Sequence, residues 1–305
     1  VLTTHPSYPH KKFFKKKMKN FNGIKINRVS SFLRENSRFS ILANYLSFFF
    51  SLLYNLLFNK KYRKFDLILI YQPSPIVPIL AAGVFKKIYK IPVITWVLDY
   101  WPQTIFDLNI IKGNFSKLFL TIVCKKIYAL SDVILAQSIS MRNKIKKDIK
   151  NTRVKTLYSW SEDFFIKKDV IKRKRKKYFK VIFSGNIGKA QNLDNFLKAV
   201  KLIQNYKNNI KWIFVGDGSQ KKWLIEKINL LKLKDKFKFY NHRPSHMIPK
   251  LYEKVDAGLI SLKGGLTFNN TLPAKFQSYI AFGLPVFTFA SGETFIITKK
   301  FKVGF

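Results

Sequence analysis

Two apolar runs in this chain end in glycines. Val181-Ile182-Phe183 runs into Ser184-Gly185-Asn186-Ile187-Gly188, and residues 212–215 run into Gly216-Asp217-Gly218. Glycine allows close backbone approach, and a helix opening behind it aims N–H groups and a positive terminus at an anion. The pair points to a crevice for the phosphates of a nucleotide or a sugar diphosphate. A second helix is expected to open near Pro273 with Lys275 in its first turn, after the glycine pair Gly264-Gly265 and a Thr/Asn-rich loop. A cation there opposes the helix dipole, so a negative ligand would relieve it; otherwise Lys275 points to solvent. Asp99 and Trp101 follow the run that ends at Val97, and Tyr71-Gln72-Pro73 ends another run. Open α/β sheets keep ligands at that strand edge, although Asp99 is equally placed to cap a helix.

Other chemistries lose ground. Neither glycine turn supplies G-x-G-x-x-G, and no P-loop lysine motif occurs. The four histidines fit no zinc spacing, and no Asp-x-Asp offers paired carboxylates to a divalent ion, so no metal site is expected. Neutralising an anion falls to backbone dipoles and lysines.

These residues need a scaffold. β-branched runs recur at 67–70, 92–97, 133–135, 154–158, 181–183, 212–215, 237–240, 257–261 and 285–289, with helix-period segments such as 193–203 and 220–231 between them. That alternation predicts an α/β fold with parallel sheets covered on both faces. At 305 residues two domains are expected, 1–166 and 179–305. The basic stretch 167–178 reads as a solvated linker, with a nuclear-import or RNA-binding patch as the alternative. The chain opens at Val1 inside an apparent strand and stops at Phe305 without a closing element, which reads as a fragment clipped at both ends.

The formal charge is +41, carried by 48 Lys and nine Arg. Such a surface attracts polyanions, unless compositional drift has simply placed Lys at solvated positions. Cys124 is the single cysteine; its apolar neighbours predict a buried, inert thiol in a reducing compartment. Residues 39–59 carry no charge. Ser40, Asn44, Ser47, Ser51 and Asn55 form one polar stripe, and basic residues flank the segment. A membrane-surface helix, a buried helix and a spanning segment all remain open.

In order along the chain, these segments resemble glycosyltransferase family 4, the retaining GT-B enzymes, especially bacterial members that build O-antigen and other surface polysaccharides. The matching pieces are Val1-Leu2-Thr3-Thr4-His5-Pro6-Ser7-Tyr8-Pro9, Phe21-Asn22-Gly23-Ile24, Leu98-Asp99-Tyr100-Trp101-Pro102, Phe183-Ser184-Gly185-Asn186-Ile187-Gly188, Phe214-Val215-Gly216-Asp217-Gly218, Ala257-Gly258-Leu259-Ile260, and Leu272-Pro273-Ala274-Lys275 through Gly283-Leu284-Pro285-Val286. The resemblance implies two Rossmann-like domains facing an interdomain cleft. It implies a metal-independent transferase moving a hexose, by subgroup an N-acetylated one, from a UDP-sugar to a lipid-linked glycan acceptor. That enzyme would sit on the cytoplasmic face of an anionic membrane, with UDP-sugar as substrate, no cofactor and no nucleic-acid partner.

Donor contacts are then expected from Gly185, Asn186, Gly188, Lys189, Asp217, Arg243, Gly264, Gly265, Asn270, Gln277 and Ser278. Lys275 and Asp99 would be catalytic, Asp99 as orienter or base at the acceptor hydroxyl, with His5, Tyr8 and Trp101 on the acceptor side. The chain departs from the family twice. Asn186 and Gln191 stand where the family carries phosphate-binding cations, with Lys189 a possible substitute. Asn270 and Ser278 stand where its paired glutamates fall. A GT-B-shaped UDP-N-acetylhexosamine epimerase and a non-catalytic basic protein binding membrane or nucleic acid are the other classes.

Overall fold

The computed structural model describes residues 1–5, 20–33, 35, 37–107, 111, 113–166, 177–203 and 209–305. Two compact units divide the chain. Val1–Ala136 with Arg142–Leu157 form the first, and Gln137–Met141 with Tyr158–Phe305 form the second.

The first unit begins with β1 (Leu2–Thr4), the antiparallel hairpin β2 (Asn20–Phe21) and β3 (Ile24–Lys25), and β4 (Asn27–Val29), which pairs in parallel with β1. After α1 (Arg38–Phe58) come β5 (Ile68–Gln72), α2 (Val77–Tyr89), β6 (Val93–Val97), α3 (Gln103–Asp107), α4 (Asn114–Tyr128), β7 (Val133–Ala136), α5 (Ile139–Asp148) and β8 (Arg153–Thr156). Strands β5 to β8 form one parallel sheet in sequence order. The sequence reading missed β4, whose Asn-Arg-Val carries one apolar residue and no alternation to mark it.

The α1 helix has three faces. Leu52 is buried with Val29 and Ala81, and Phe48, Phe49 and Leu56 pack beside them. The polar stripe binds the chain that leads into the helix. Ser40 Oγ donates to the Leu33 carbonyl and accepts from Glu35 N, Asn44 donates to the Phe32 carbonyl, and Ser47 Oγ accepts from Phe32 N. The side left outside is apolar: Phe39, Leu42, Leu46, Phe50, Tyr54 and Phe58 are all exposed.

In the second unit the chain runs β9 (Phe179–Ser184), α6 (Leu193–Ile203), β10 (Ile210–Val215), α7 (Lys221–Leu230), β11 (Phe237–Tyr240), α8 (Pro249–Tyr252), β12 (Ala257–Ser261), α9 (Leu266–Asn270), α10 (Ala274–Ala281), β13 (Val286–Phe289) and α11 (Glu293–Lys300). The parallel sheet has the order β11-β10-β9-β12-β13, with β9 at its centre. Successive β9 side chains point to opposite faces and both faces are filled. Val181 and Phe183 join Phe196, Trp212 and Phe214, whereas Ile182 joins Tyr252, Phe276 and Tyr279. This is why the run is apolar throughout rather than alternating.

Residues 158–166 belong with the second unit, although the sequence reading placed them in the first. Phe165 is buried in that unit's core and stacks on Tyr252 at 5.5 Å between centroids. Most of the expected linker, residues 167–176, lies outside the described residues.

Candidate functional site

The register of β9 against β10 pairs Ser184 with Val215, so the two strands end side by side. Their loops then pack backbone on backbone. Gly185 N donates to the Val215 carbonyl at 2.9 Å, and Ile187 N to the Asp217 carbonyl at 2.8 Å. Gly216 has φ +139°, and a Cβ there would lie 2.0 Å from the Gly185 oxygen; at Gly218, φ +154°, it would lie 2.4 Å from the Ile187 oxygen. Both glycines thus permit the close contact between the loops. Gly185 differs: with φ +126°, the nearest atoms to an added Cβ are Lys275 Cε at 3.6 Å and Nζ at 3.7 Å.

The helix expected directly behind Gly188 starts later. Lys189–Gln191 form a single 3-10 turn, Asn192 is left-handed at φ 47°, and α6 begins at Leu193. Helix α10 begins where expected, after Pro273 at the cap. Lys275 in its first turn does not point to solvent. Its ammonium lies 3.4 Å from the centroid of the Phe183 ring and donates to Gln191 Oε1 at 3.1 Å. Burial pulls its pKa down to about 7. A desolvated cation over a ring gains on the order of 2 kcal/mol. That gain and one neutral acceptor do not offset the lost hydration, so the ammonium gives up its proton readily, and among the described residues no carboxylate pairs with it.

Above Lys275 lies a cavity of about 620 Å³. The strand ends contribute Ser184, Gly185, Asn186, Val215 and Gly216; α10 contributes Ala274, Lys275 and Ser278; and His242, Arg243, Pro244, Ser245 and His246 close one side. Glu162, Phe165, Ile248 and Tyr252 complete the wall. Its floor is tied by hydroxyls. Ser184 Oγ lies 2.8 Å from Tyr252 Oη, and Tyr279 Oη accepts from Ser184 N and donates to the Ile182 carbonyl, each at 3.0 Å. Burial pushes the Tyr279 phenol up to about 12, keeping it a neutral donor. Gly258 in β12 makes room for this ring, since a Cβ there would fall 2.4 Å from it.

Of the expected donor residues, Gly185, Asn186, Arg243, Lys275 and Ser278 line the cavity, and Gly188, Lys189, Asp217, Gly264, Gly265, Asn270 and Gln277 do not. Asp217 turns back to accept from Gly218 N at 2.8 Å. Gln277, with its amide nitrogen turned inward, donates to the Pro273 and Ala274 carbonyls at 3.2 Å. Gly265 caps α9, a five-residue helix where an open loop was expected, and the Asn270 carbonyl accepts from Ser138 Oγ. Glu162, Phe165 and Tyr252 were missed, because the sequence reading assigned the first two to the other domain.

The first unit presents its own strand-edge cluster. Asp99 follows β6 but lies four residues ahead of α3, so it caps no helix; burial alone raises its carboxyl to about 6. Tyr128, fully buried, binds Gln72 Oε1 at 3.3 Å and accepts from Trp101 N at 3.1 Å, tying the ends of β5 and β6 together. The Trp101 ring meets Tyr45 edge-on at 5.9 Å. His5 is half-buried just past β1, and Tyr8 lies outside the described residues. Burial pushes the Cys124 thiol up to about 12, which keeps it inert.

Two units with parallel sheets, the second carrying a glycine-floored cavity at its strand ends, have the fold called GT-B. Residues 165–305 match the family model "Glycosyl transferases group 1". Among solved structures the chain is similar to the lipopolysaccharide outer core galactosyltransferase WaaB in its apo form. The TM-score is 0.59 at 14% identity, covering 88% of this chain and 66% of that one. It is similar to HepE of Anabaena in complex with UDP, with TM-score 0.62 at 13% identity, covering 90% and 70%. It is also similar to sucrose-phosphate synthase from Thermosynechococcus elongatus, with TM-score 0.70 at 11% identity, covering 95% and 71%. The chain thus spans about two thirds of the length of these neighbours. No curated protein sequence matches it.

Proposed function

We propose that this chain is the main part of a retaining glycosyltransferase that moves a hexose from a UDP-sugar to a lipid-linked acceptor in surface-polysaccharide assembly. The observation that carries the reading is Lys275, whose ammonium lies beside Gly185 at the cavity and has no carboxylate partner among the described residues. A diphosphate lying over Gly185 would supply the missing partner. As the anomeric bond breaks, negative charge grows on the leaving diphosphate, and a cation already in place stabilises that charge more than the ground state. Arg243, exposed at the cavity rim, would add a second contact to the donor. UDP bound to HepE supports the choice of nucleotide.

Asp99 would orient the acceptor hydroxyl or take its proton; the carboxyl, at about 6, is ionised near neutral pH yet basic enough to accept a proton. With the leaving phosphate assisting attack from its own side, configuration is retained without a second carboxylate as nucleophile. The test is to incubate the protein with labelled UDP-hexoses and UDP-N-acetylhexosamines, with and without lipid-linked acceptors. Label in lipid with the donor's anomeric configuration supports the reading. Sugar epimerised without acceptor, or no turnover beside tight nucleic-acid binding, overturns it.

A further inference from the structure

Helix α1 is 21 residues long, and Phe39, Leu42, Leu46, Phe50, Tyr54 and Phe58 run along its outer side from end to end. Phe39 is 81% exposed and Phe58 70%. The stripe leaves on the order of 700 Å² in water, beyond the roughly 300–600 Å² of the largest patch on an ordinary monomer. Helix α4 repeats the pattern in the same unit, with Phe115, Leu118, Phe119 and Ile122 exposed at spacings of three and four. Residues 101–107 touch both helices, Trp101 against Tyr45 of α1 and Phe106 under Lys117 of α4. Neither helix contains an acidic residue. Lys60, Lys61, Arg63 and Lys64 follow α1, and Lys117, Lys125 and Lys126 lie on α4.

We propose that the outer stripe of α1, flanked by α4, is a docking surface for an anionic lipid bilayer, which the first unit enters sideways without crossing. The inner face of α1 packs on Val29 and Ala81, and its polar face is spent on Phe32, Leu33 and Glu35, so only one side can reach lipid. An interfacial helix of this kind sinks its apolar side about 5–10 Å into the headgroup boundary while nearby lysines reach anionic headgroups. A second copy of the chain fits less well. A two-fold contact would set the same basic, acid-free helices against each other in a protein of charge +41. The surface lies in the first unit, and its test is independent of donor binding.

Partition is measured by co-sedimentation with vesicles of phosphatidylcholine alone and of equal parts phosphatidylcholine and phosphatidylglycerol. The anionic vesicles are expected to bind the wild type. The triple variant Phe39→Ser, Phe50→Ser, Phe58→Ser should weaken that partition roughly a hundredfold. The control Leu202→Ser, Leu230→Ser removes two exposed leucines of the second unit and should leave partition unchanged. Circular dichroism melting of each variant shows whether it remains folded. Equal partition by the folded triple variant and the wild type overturns the proposal, because net charge alone would then hold the protein. It is also overturned by a wild-type dimer that ignores vesicles and that the triple variant dissolves. Vesicle binding without sugar transfer would leave the docking surface standing and remove the transferase reading; transfer without vesicle binding would do the reverse.

Discussion

Lys275 holds its ammonium 3.4 Å from the centre of the Phe183 ring, so the central strand of the second unit supplies an aromatic seat for a cation carried on α10. The seat fixes the charge beside Gly185 but leaves it under-compensated, which is the condition for an anionic ligand to bind strongly.

The activity should follow a bell in pH. Lys275, lowered to about 7, is charged below that value and neutral above it, so donor capture falls as pH rises through 7. Asp99, raised to about 6, is protonated below that value and ionised above it, so acceptor activation falls as pH drops through 6. The profile of kcat/KM is expected to peak between these limbs. Lys275→Arg should remove the alkaline limb and Asp99→Asn the acid limb, read from the same profile.

Gly216→Ala should destabilise the second unit by about 3 kcal/mol or more, because the new methyl would meet the Gly185 oxygen at 2.0 Å on a backbone of φ +139°. At Gly264 nothing lies within 4 Å of an added Cβ, and Gly264→Ala should stay within about 0.5 kcal/mol of the wild type. Thermal unfolding of the two variants side by side measures the contrast.

Glu293→Ala should be among the costlier single changes. Its carboxylate is 3% exposed and accepts from Ile139 N, Ser140 N, Ser140 Oγ and Tyr158 Oη. Removing it takes the acceptor from two backbone donors at the start of α5 and from the Ser140 hydroxyl, all part-buried, a loss of roughly 2 kcal/mol. Denaturant unfolding should show a clear drop for Glu293→Ala and a smaller one for Glu293→Gln, which keeps one acceptor oxygen.

The strands were legible because β-branched runs stop at glycines, and every apolar run read as a strand forms one within a few residues. Lys275 was legible from its place behind Pro273, but its fate was not: the Phe183 ring lies 92 positions earlier, and no periodicity links them. Gly216 was legible as part of the crevice, but the loop contact that Gly216 and Gly218 permit was not, because sequence shows a glycine but not what its missing Cβ would strike. Short elements escaped for a related reason. Three residues of β4 and five of α9 are too few for a period to emerge, and tertiary pairing decides them. The polar stripe of α1 was seen correctly as a stripe. Its direction was set by Phe32, Leu33 and Glu35 bonding back to it, which a helical wheel cannot reveal.

The central claim is that Lys275 carries the charge of the leaving diphosphate, and transfer kinetics of Lys275→Ala test it most directly. With label transfer from UDP-sugar as the assay, kcat/KM should fall on the order of a hundred- to a thousandfold while the melting temperature holds or rises, since a poorly hydrated cation has been removed. Unchanged turnover in a folded Lys275→Ala protein would contradict the account.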